Sequence, residues 1–352
     1  MNKIEQVITE IKPIDQKLIE QTQARLDNLT KPLGSLGRLE DLAKLIVGIS
    51  GKASPDFKNK VIFTFAADHG VTEEGVSPYP KEVTAQMVYN FLNGGAGINV
   101  LARHAQARVV VADLGVASDL KPSPELVVNK IGYGTKNMAK GQAMSRQEAI
   151  RSLEAGIEIF EAEFKKGIDI IGTGEMGIGN TTAATCITAV FTKKPIEDIA
   201  GRGAGLDDQG LKNKIKIIQQ ALKINQPDAA DPIDVLSKVG GFEIGGLAGV
   251  ILAAAYRKVP VVIDGFISGA AALIAYKLEP KTKDYMIASH CSVERGHRHI
   301  LNHIGLEPLF DFNLRLGEGT GAALGINIAE AAVKILTQMA TFASAGVSQK
   351  DK

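Results

Sequence analysis

Val61-Ile62-Phe63-Thr64-Phe65-Ala66-Ala67-Asp68-His69-Gly70 is the stretch that decides the fold. Its first seven residues are β-branched, aromatic or small, with a single hydroxyl among them, and they lead into an acid, a histidine and a glycine. A helical pattern follows over residues 81–92. The same succession recurs downstream. Residues 109–113, 168–172, 259–264 and 285–289 are short apolar runs, mostly ending in Asp, Gly or Ser, with helical patterns between them. Strands that are apolar on both faces and alternate with helices predict an α/β protein, a parallel sheet covered by helices on both faces. Ligands of such sheets bind beyond the carboxyl ends of the strands. The polar residues and glycines of this chain fall there.

Outside that alternation the pattern is helical. Residues 6–50 carry apolar side chains near 3.6 spacing, interrupted by the turn-like Lys31-Pro32-Leu33-Gly34-Ser35. A last helical run over 319–343 returns to pack on them as a smaller second lobe. The expected partition is therefore a small helical domain from residues 1–55 and 323–343, a large α/β domain over 56–322 and a flexible tail over 344–352.

With 352 residues, 45% of them apolar and 22% charged, the chain reads as soluble and globular. Forty basic against thirty-nine acidic side chains leave a formal charge of +1, which gives no reason to expect nucleic acid as a partner. Any bound phosphate must be held by local geometry. Cys186 and Cys291 are too few for a disulfide framework or a cysteine metal site and fit a reducing cytoplasm. The N-terminal residues lack an uninterrupted apolar signal core, so the protein is expected not to be exported. The longest apolar stretch, 247–256, falls short of the roughly 18 residues that span a bilayer and predicts a buried helix, with no membrane partner.

Several motifs carry chemistry. Gly317-Glu318-Gly319-Thr320-Gly321-Ala322 sets one carboxylate in a glycine frame where a helix begins. Thr320 is the expected N-cap, and Glu318 would lie just ahead of it as a catalytic base or as a mere partner of the helix dipole. Gly172-Thr173-Gly174-Glu175-Met176-Gly177-Ile178-Gly179-Asn180-Thr181-Thr182 reads as the end of a strand, a glycine-rich turn and a helix starting near Thr181. Such a turn, with two hydroxyls, makes a neutral phosphate cradle, or simply a structural turn. It is not a Walker loop, because no Lys-Ser/Thr follows the glycines.

Gly201-Arg202-Gly203-Ala204-Gly205-Leu206-Asp207-Asp208 precedes an amphipathic helix whose Lys214 lies near the border of the buried face and can turn inward or snorkel outward. Asp207 is expected to cap that helix rather than hold a metal. The loop from Asp68-His69-Gly70 to Ser77-Pro78-Tyr79-Pro80 suits a flat heteroaromatic ligand. His290, His297, His299 and His303 lack cysteine partners and metal-site spacing, so structural or surface roles are expected and no metal.

Lys31-Pro32-Leu33-Gly34-Ser35-Leu36-Gly37-Arg38-Leu39-Glu40, Ala67-Asp68-His69-Gly70-Val71, Glu74-Gly75-Val76-Ser77, the loops 174–182 and 201–208, Gly240-Gly241-Phe242-Glu243-Ile244-Gly245-Gly246, Asp264-Gly265-Phe266 and the segment 315–322 occur in one order. Together these eight motifs resemble the nicotinate-nucleotide:dimethylbenzimidazole phosphoribosyltransferases over residues 31–332. The resemblance implies a Rossmann-like sheet with a small helical domain from both chain ends and a homodimer; a cytoplasmic location and no cofactor are expected as well. It implies transfer of the 5-phosphoribosyl group from nicotinate mononucleotide to 5,6-dimethylbenzimidazole, giving α-ribazole 5′-phosphate and nicotinate for the lower ligand of cobalamin.

The resemblance also assigns residues. Glu318 matches the family's base, and Glu175 and Lys214 match other active-site positions. Gly177, Gly179, Asn180, Thr181 and Thr182 correspond to the phosphate loop, with Gly203 and Gly205 assisting. Ser77, Tyr79, Gln86, Met87 and Leu316 are expected around the acceptor base, and Asp264, Gly265, Phe266 and Ser292 near the nucleotide. Ala204 departs from the threonine often found in the glycine-arginine loop. Three rivals stay open: a transferase for adenine, other benzimidazoles or phenols, a catalytically silent nucleotide-binding protein on the same fold, and a transferase using phosphoribosyl pyrophosphate and Mg²⁺.

Overall fold

The computed structural model describes residues 3–348. Its strands are β1 (Lys60–Ala67), β2 (Ala107–Gly115), β3 (Leu126–Val128), β4 (Ile170–Met176), β5 (Val261–Ile263) and β6 (Met286–Ala288). They form one sheet in the order β3-β2-β1-β4-β5-β6, every neighbouring pair parallel. All eight residues of β1 are buried, as a central strand with no solvent face requires. Alternate side chains enter different cores. Val61, Phe63, Phe65 and Ala67 join one cluster, and Ile62 and Ala66 join the other. Full burial of a side chain such as Phe63 contributes about 1.5–3 kcal/mol, so this strand alone anchors both layers.

One layer is the helix Phe242–Tyr256, packed between the helices Arg146–Phe164 and Phe266–Leu278. It is buried almost throughout, as its unbroken apolar sequence predicts. The opposite layer is the helix Thr320–Gln338, resting on β4 and on the helices Arg38–Ser50 and Gly97–Ala105. The α/β parallel sheet covered on both faces is thus the architecture the apolar runs predicted. Strand order reverses between β1 and β4, and in open α/β sheets that switch point opens a crevice beyond the carboxyl ends.

Several local details differ from the sequence reading. The strand expected at 168–172 continues to Met176, and the turn is confined to Gly177, Ile178 and Gly179, with the helix starting at Asn180. Glycine in a strand marks a close backbone approach, and a Cβ on Gly174 would lie 2.2 Å from the Glu318 carbonyl oxygen. The three-residue edge strand β3 was too short to give a sequence pattern. Near the N-terminus a further break at Pro13 separates the helices Lys3–Glu10 and Gln16–Asp27, since proline lacks the amide a continuous helix needs.

At the other end, the helical run stops at Gln338. Thr341 bridges Leu29, and Thr341 then caps a short helix, Phe342–Ala345, that includes Ser344. Of the expected tail, residues 349–352 lie outside the described residues.

Candidate active site

The crevice is built around a strained turn. Gly317, Glu318 and Gly319 have φ of 82°, 65° and 100°, three successive residues in the left-handed region, of which only the glycines adopt it at little cost. The turn is over-determined by its neighbours. Thr64 of β1 donates its hydroxyl to the Glu318 carbonyl at 3.0 Å. Asp264, just past β5, accepts the Gly319 amide at 3.1 Å, the Gly321 amide at 2.7 Å and the Ala322 amide at 3.1 Å.

Asp264 therefore satisfies the amides at the start of the helix Thr320–Gln338, whose N-cap is Gly319. The expected cap, Thr320, is one residue inside the helix and donates its hydroxyl back to the Gly317 carbonyl at 2.8 Å.

The Glu318 carboxylate is 5% exposed and its Oε2 accepts the Ile98 amide at 3.0 Å, at the start of the helix Gly97–Ala105. Burial raises its pKa above the usual carboxylate value, against the pull of the Ile98 and Gly97 amides. Glu175, in β4, lies directly under the same turn, because a Cβ on Gly317 would lie 2.3 Å from its Oε1. Its Oε2 accepts the side-chain amide of Asn180. Complete burial, with Glu243, Asp264 and Glu318 adding negative charge, pushes Glu175 up to about 8, although Asn180 opposes the shift. Burial also pushes Asp264 up to about 7 despite its amide partners. One carboxyl of the group is thus neutral at pH 7 beside another held by amides, which is how a site separates acid and base roles.

The cavity over this turn is lined by Glu318, Glu175, Gly177, Asn180, Thr181, Gly203, Gly265, Phe266, Ser292, Tyr79, Met87 and Leu316 among the residues singled out from sequence. Others stand behind the wall. Lys214 is fully buried, donates to the Thr181 hydroxyl at 2.7 Å and the Gly201 carbonyl at 3.3 Å, and is pushed down to about 8 by burial. Thr181, engaged as an acceptor, keeps its own proton for a ligand.

Gly179 is the left-handed N-cap of the helix Asn180–Thr192, Thr182 is buried in that helix, and Gly205 bends the next loop at φ 120°. Ser77 accepts the Tyr79 amide at 3.2 Å and shapes its turn, whereas Gln86 is exposed on the helix Glu82–Leu92. Asp264 has its oxygens committed to the amides already described.

Sequence reasoning passed over Val83, Met176, Ile178, Ile267, His290 and Glu294, which also line the cavity. The apolar ones carry no signal that separates a pocket wall from a core. His290 was set aside as structural for want of metal-site spacing, and Glu294 drew no assignment. Burial keeps His290 neutral at about 4 and His297 at about 3, and His297 Nδ1 accepts the Ser292 amide at 2.9 Å, holding the Ser292 loop in place. Asp68-His69-Gly70, expected in a loop for a flat heteroaromatic ligand, does not line this cavity; its histidine instead meets the Gly240–Gly246 motif beneath the Gly177 turn. His69 Nε2 lies 2.7 Å from Glu243 Oε1, both buried, and Glu243 raises the His69 pKa although burial opposes it. Asp207 caps the helix Asp208–Asn225 by accepting the Gly210 amide.

Comparison with known proteins gives one family. A family model described as phosphoribosyltransferase matches residues 11–347. The nicotinate-nucleotide–dimethylbenzimidazole phosphoribosyltransferase of Geobacter sulfurreducens is 55% identical over 351 residues, covering 100% of both chains. Its namesake from Desulforudis audaxviator is 57% identical over 349 residues, covering 99% of each. The crystal structure of the enzyme of that name from Thermus thermophilus superposes with a TM-score of 0.91 at 43% identity, over 96% of this chain and 100% of that one.

Proposed function

The chain belongs to the nicotinate-nucleotide–dimethylbenzimidazole phosphoribosyltransferase family, and we propose that it carries the 5-phosphoribosyl group from nicotinate mononucleotide to 5,6-dimethylbenzimidazole with Glu318 as general base. The observation that carries the base assignment is the Glu318 carboxylate itself, on the cavity wall with one oxygen fixed by the Ile98 amide. An unprotonated ring nitrogen of the benzimidazole attacks C1′ of the ribose as the bond from C1′ to the pyridinium nitrogen breaks. The electron pair of that bond leaves with nicotinate, which needs no proton. The other ring nitrogen becomes acidic as the new bond forms, and Glu318 takes its proton. Attack opposite the leaving group turns a β-nucleotide into an α-product, α-ribazole 5′-phosphate.

The remaining residues position the two substrates. Tyr79, Met87 and Leu316 give apolar walls for a flat base. The amides at the start of the helix Asn180–Thr192, the Thr181 hydroxyl and the Gly203 loop form the phosphate cradle, with Lys214 supplying the cation behind Thr181. Glu175, neutral near pH 7, offers a hydrogen bond without a second negative charge beside the base. Pre-aligning two rings about one sugar supplies much of the acceleration.

A homodimer, a cytoplasmic location and the two-domain partition belong to the same proposal. The bridge between Leu29 and Thr341 supports a lobe made from both chain ends. Among the described residues no helix is long and apolar enough to cross a membrane.

The test is incubation of the purified protein with nicotinate mononucleotide and 5,6-dimethylbenzimidazole, without added metal, followed by chromatography. Nicotinate and α-ribazole phosphate in equal amounts are expected. Release of neither product, with adenine and phenols also offered, would overturn the reading.

A further inference from the structure

Glu294 has no assigned role, yet it lines the cavity and holds the same glycine loop that the buried lysine contacts. It sits in the loop ahead of the helix Arg295–Ile304, is 8% exposed, and its Oε1 accepts the Gly203 amide at 2.9 Å. Its Oε2 is buried without a hydrogen-bond partner. That oxygen is pressed against Gly201, where a Cβ would lie 2.1 Å away. A desolvated carboxylate oxygen of this kind needs compensation from a nearby cation. Lys214 has the complementary problem, since its two hydrogen-bond partners, the Thr181 hydroxyl and the Gly201 carbonyl, are both neutral.

We propose that Glu294 is a positioning residue for phosphate binding, which clamps the glycine loop through Gly203 and serves as the counter-charge of the buried Lys214 ammonium behind Thr181. This rests on the reading of Thr181, Gly203 and Lys214 as the phosphate site.

The other charges around the lysine leave Glu294 in that role. The helix Asn180–Thr192 contributes Cys186, whose thiol burial pushes up to about 12 and so stays neutral. Arg202, in the clamped loop, pairs with Asp208. From the helix Ile196–Ile199, Glu197 accepts from Gln219, and Asp198 borders a separate surface pocket. In the helix Pro232–Val239, Asp234 pairs with Lys238, and Glu74, near Asn213, pairs with Lys140. Lys212 and Lys216 on the lysine's own helix are exposed. Glu294 is the main charge holding the Lys214 proton against the burial that pushes it down.

Removing that charge lowers the pKa of Lys214, so the ammonium is lost at a lower pH. The dissociation constant of nicotinate mononucleotide would be measured calorimetrically at intervals from about pH 6 to about pH 9 for wild type, Glu294→Gln, Glu294→Asp and Lys214→Met. For a one-unit shift, the ratio of Glu294→Gln to wild type is expected to be near one at about pH 6, roughly threefold at about pH 7.5, and to approach tenfold by about pH 9. Glu294→Asp keeps the charge and should keep the wild-type midpoint, and Lys214→Met should flatten the curve.

A Glu294→Gln ratio that is constant across the range, whether near one or merely raised, overturns the counter-charge role. Product formation by wild type, followed in parallel, reports on the functional reading separately. A wild type that binds the nucleotide but makes no product sinks that reading and leaves the ratio meaningful. A wild type that does not bind the nucleotide sinks both.

Discussion

At the residue scale, Glu318 shows how strain and chemistry coincide. A non-glycine residue at φ 65° between two left-handed glycines costs conformational energy, of order 1–3 kcal/mol, and persists because Thr64, Asp264 and Ile98 each fix part of it. The amide in Glu318→Gln retains shape without basicity. We expect the variant to fold, to bind nicotinate mononucleotide within about threefold of wild type, and to lose roughly 10²–10⁴ of turnover. Steady-state rates near wild type would remove Glu318 from the base role. The residue itself was legible, because a lone acid among glycines ahead of a helix is unusual. Its anchor on Ile98, 220 positions away in the chain, was not.

At the scale of elements, the helix Thr320–Gln338 depends on a cap that comes from the loop just past β5. Sequence logic looks for a cap next to the helix, and Thr320 satisfied it. The structure instead uses Asp264, whose Oδ1 takes the Gly321 and Ala322 amides while Oδ2 takes that of Gly319. Asp264→Asn turns one acceptor into a donor facing an amide. Urea unfolding should show a loss of about 1–3 kcal/mol, with turnover falling along with it because the same amides set the Glu318 turn. Unchanged stability and turnover would mean that the turn holds itself. The extension of β4 through Met176 was hidden in the same way, since Gly172 and Gly174 look like turn residues until Glu318 is seen lying across the strand.

At the scale of the whole molecule, a net charge of +1 conceals buried carboxyls gathered at one edge of the sheet, and stability must answer to pH there. Glu175 rises from 4.5 to about 8 on folding, so the folded protein keeps a proton that the unfolded chain releases. Its contribution is complete below about pH 4.5 and is lost as pH climbs through about 8. Glu175→Gln cannot ionise. Its melting temperature should match wild type within roughly 1 °C near pH 4.5 and move ahead by at least about 2 °C near pH 9. Scanning calorimetry showing a difference independent of pH would contradict the buried neutral carboxyl.

The sequence by itself determined the layered architecture, since apolar runs buried on both faces fit only a covered parallel sheet, and it marked Glu318 and the two glycine loops because those residue types in short order need a ligand or a tight turn, while Glu175 was reached only through the family resemblance. Tertiary structure alone decided that Asp264 braces the Glu318 turn, that Lys214 stands behind Thr181, and that Gln86 faces outward. Those facts depend on side chains from separate helices and loops meeting beyond the carboxyl edge of the sheet, and distance in the chain carries no record of proximity in space.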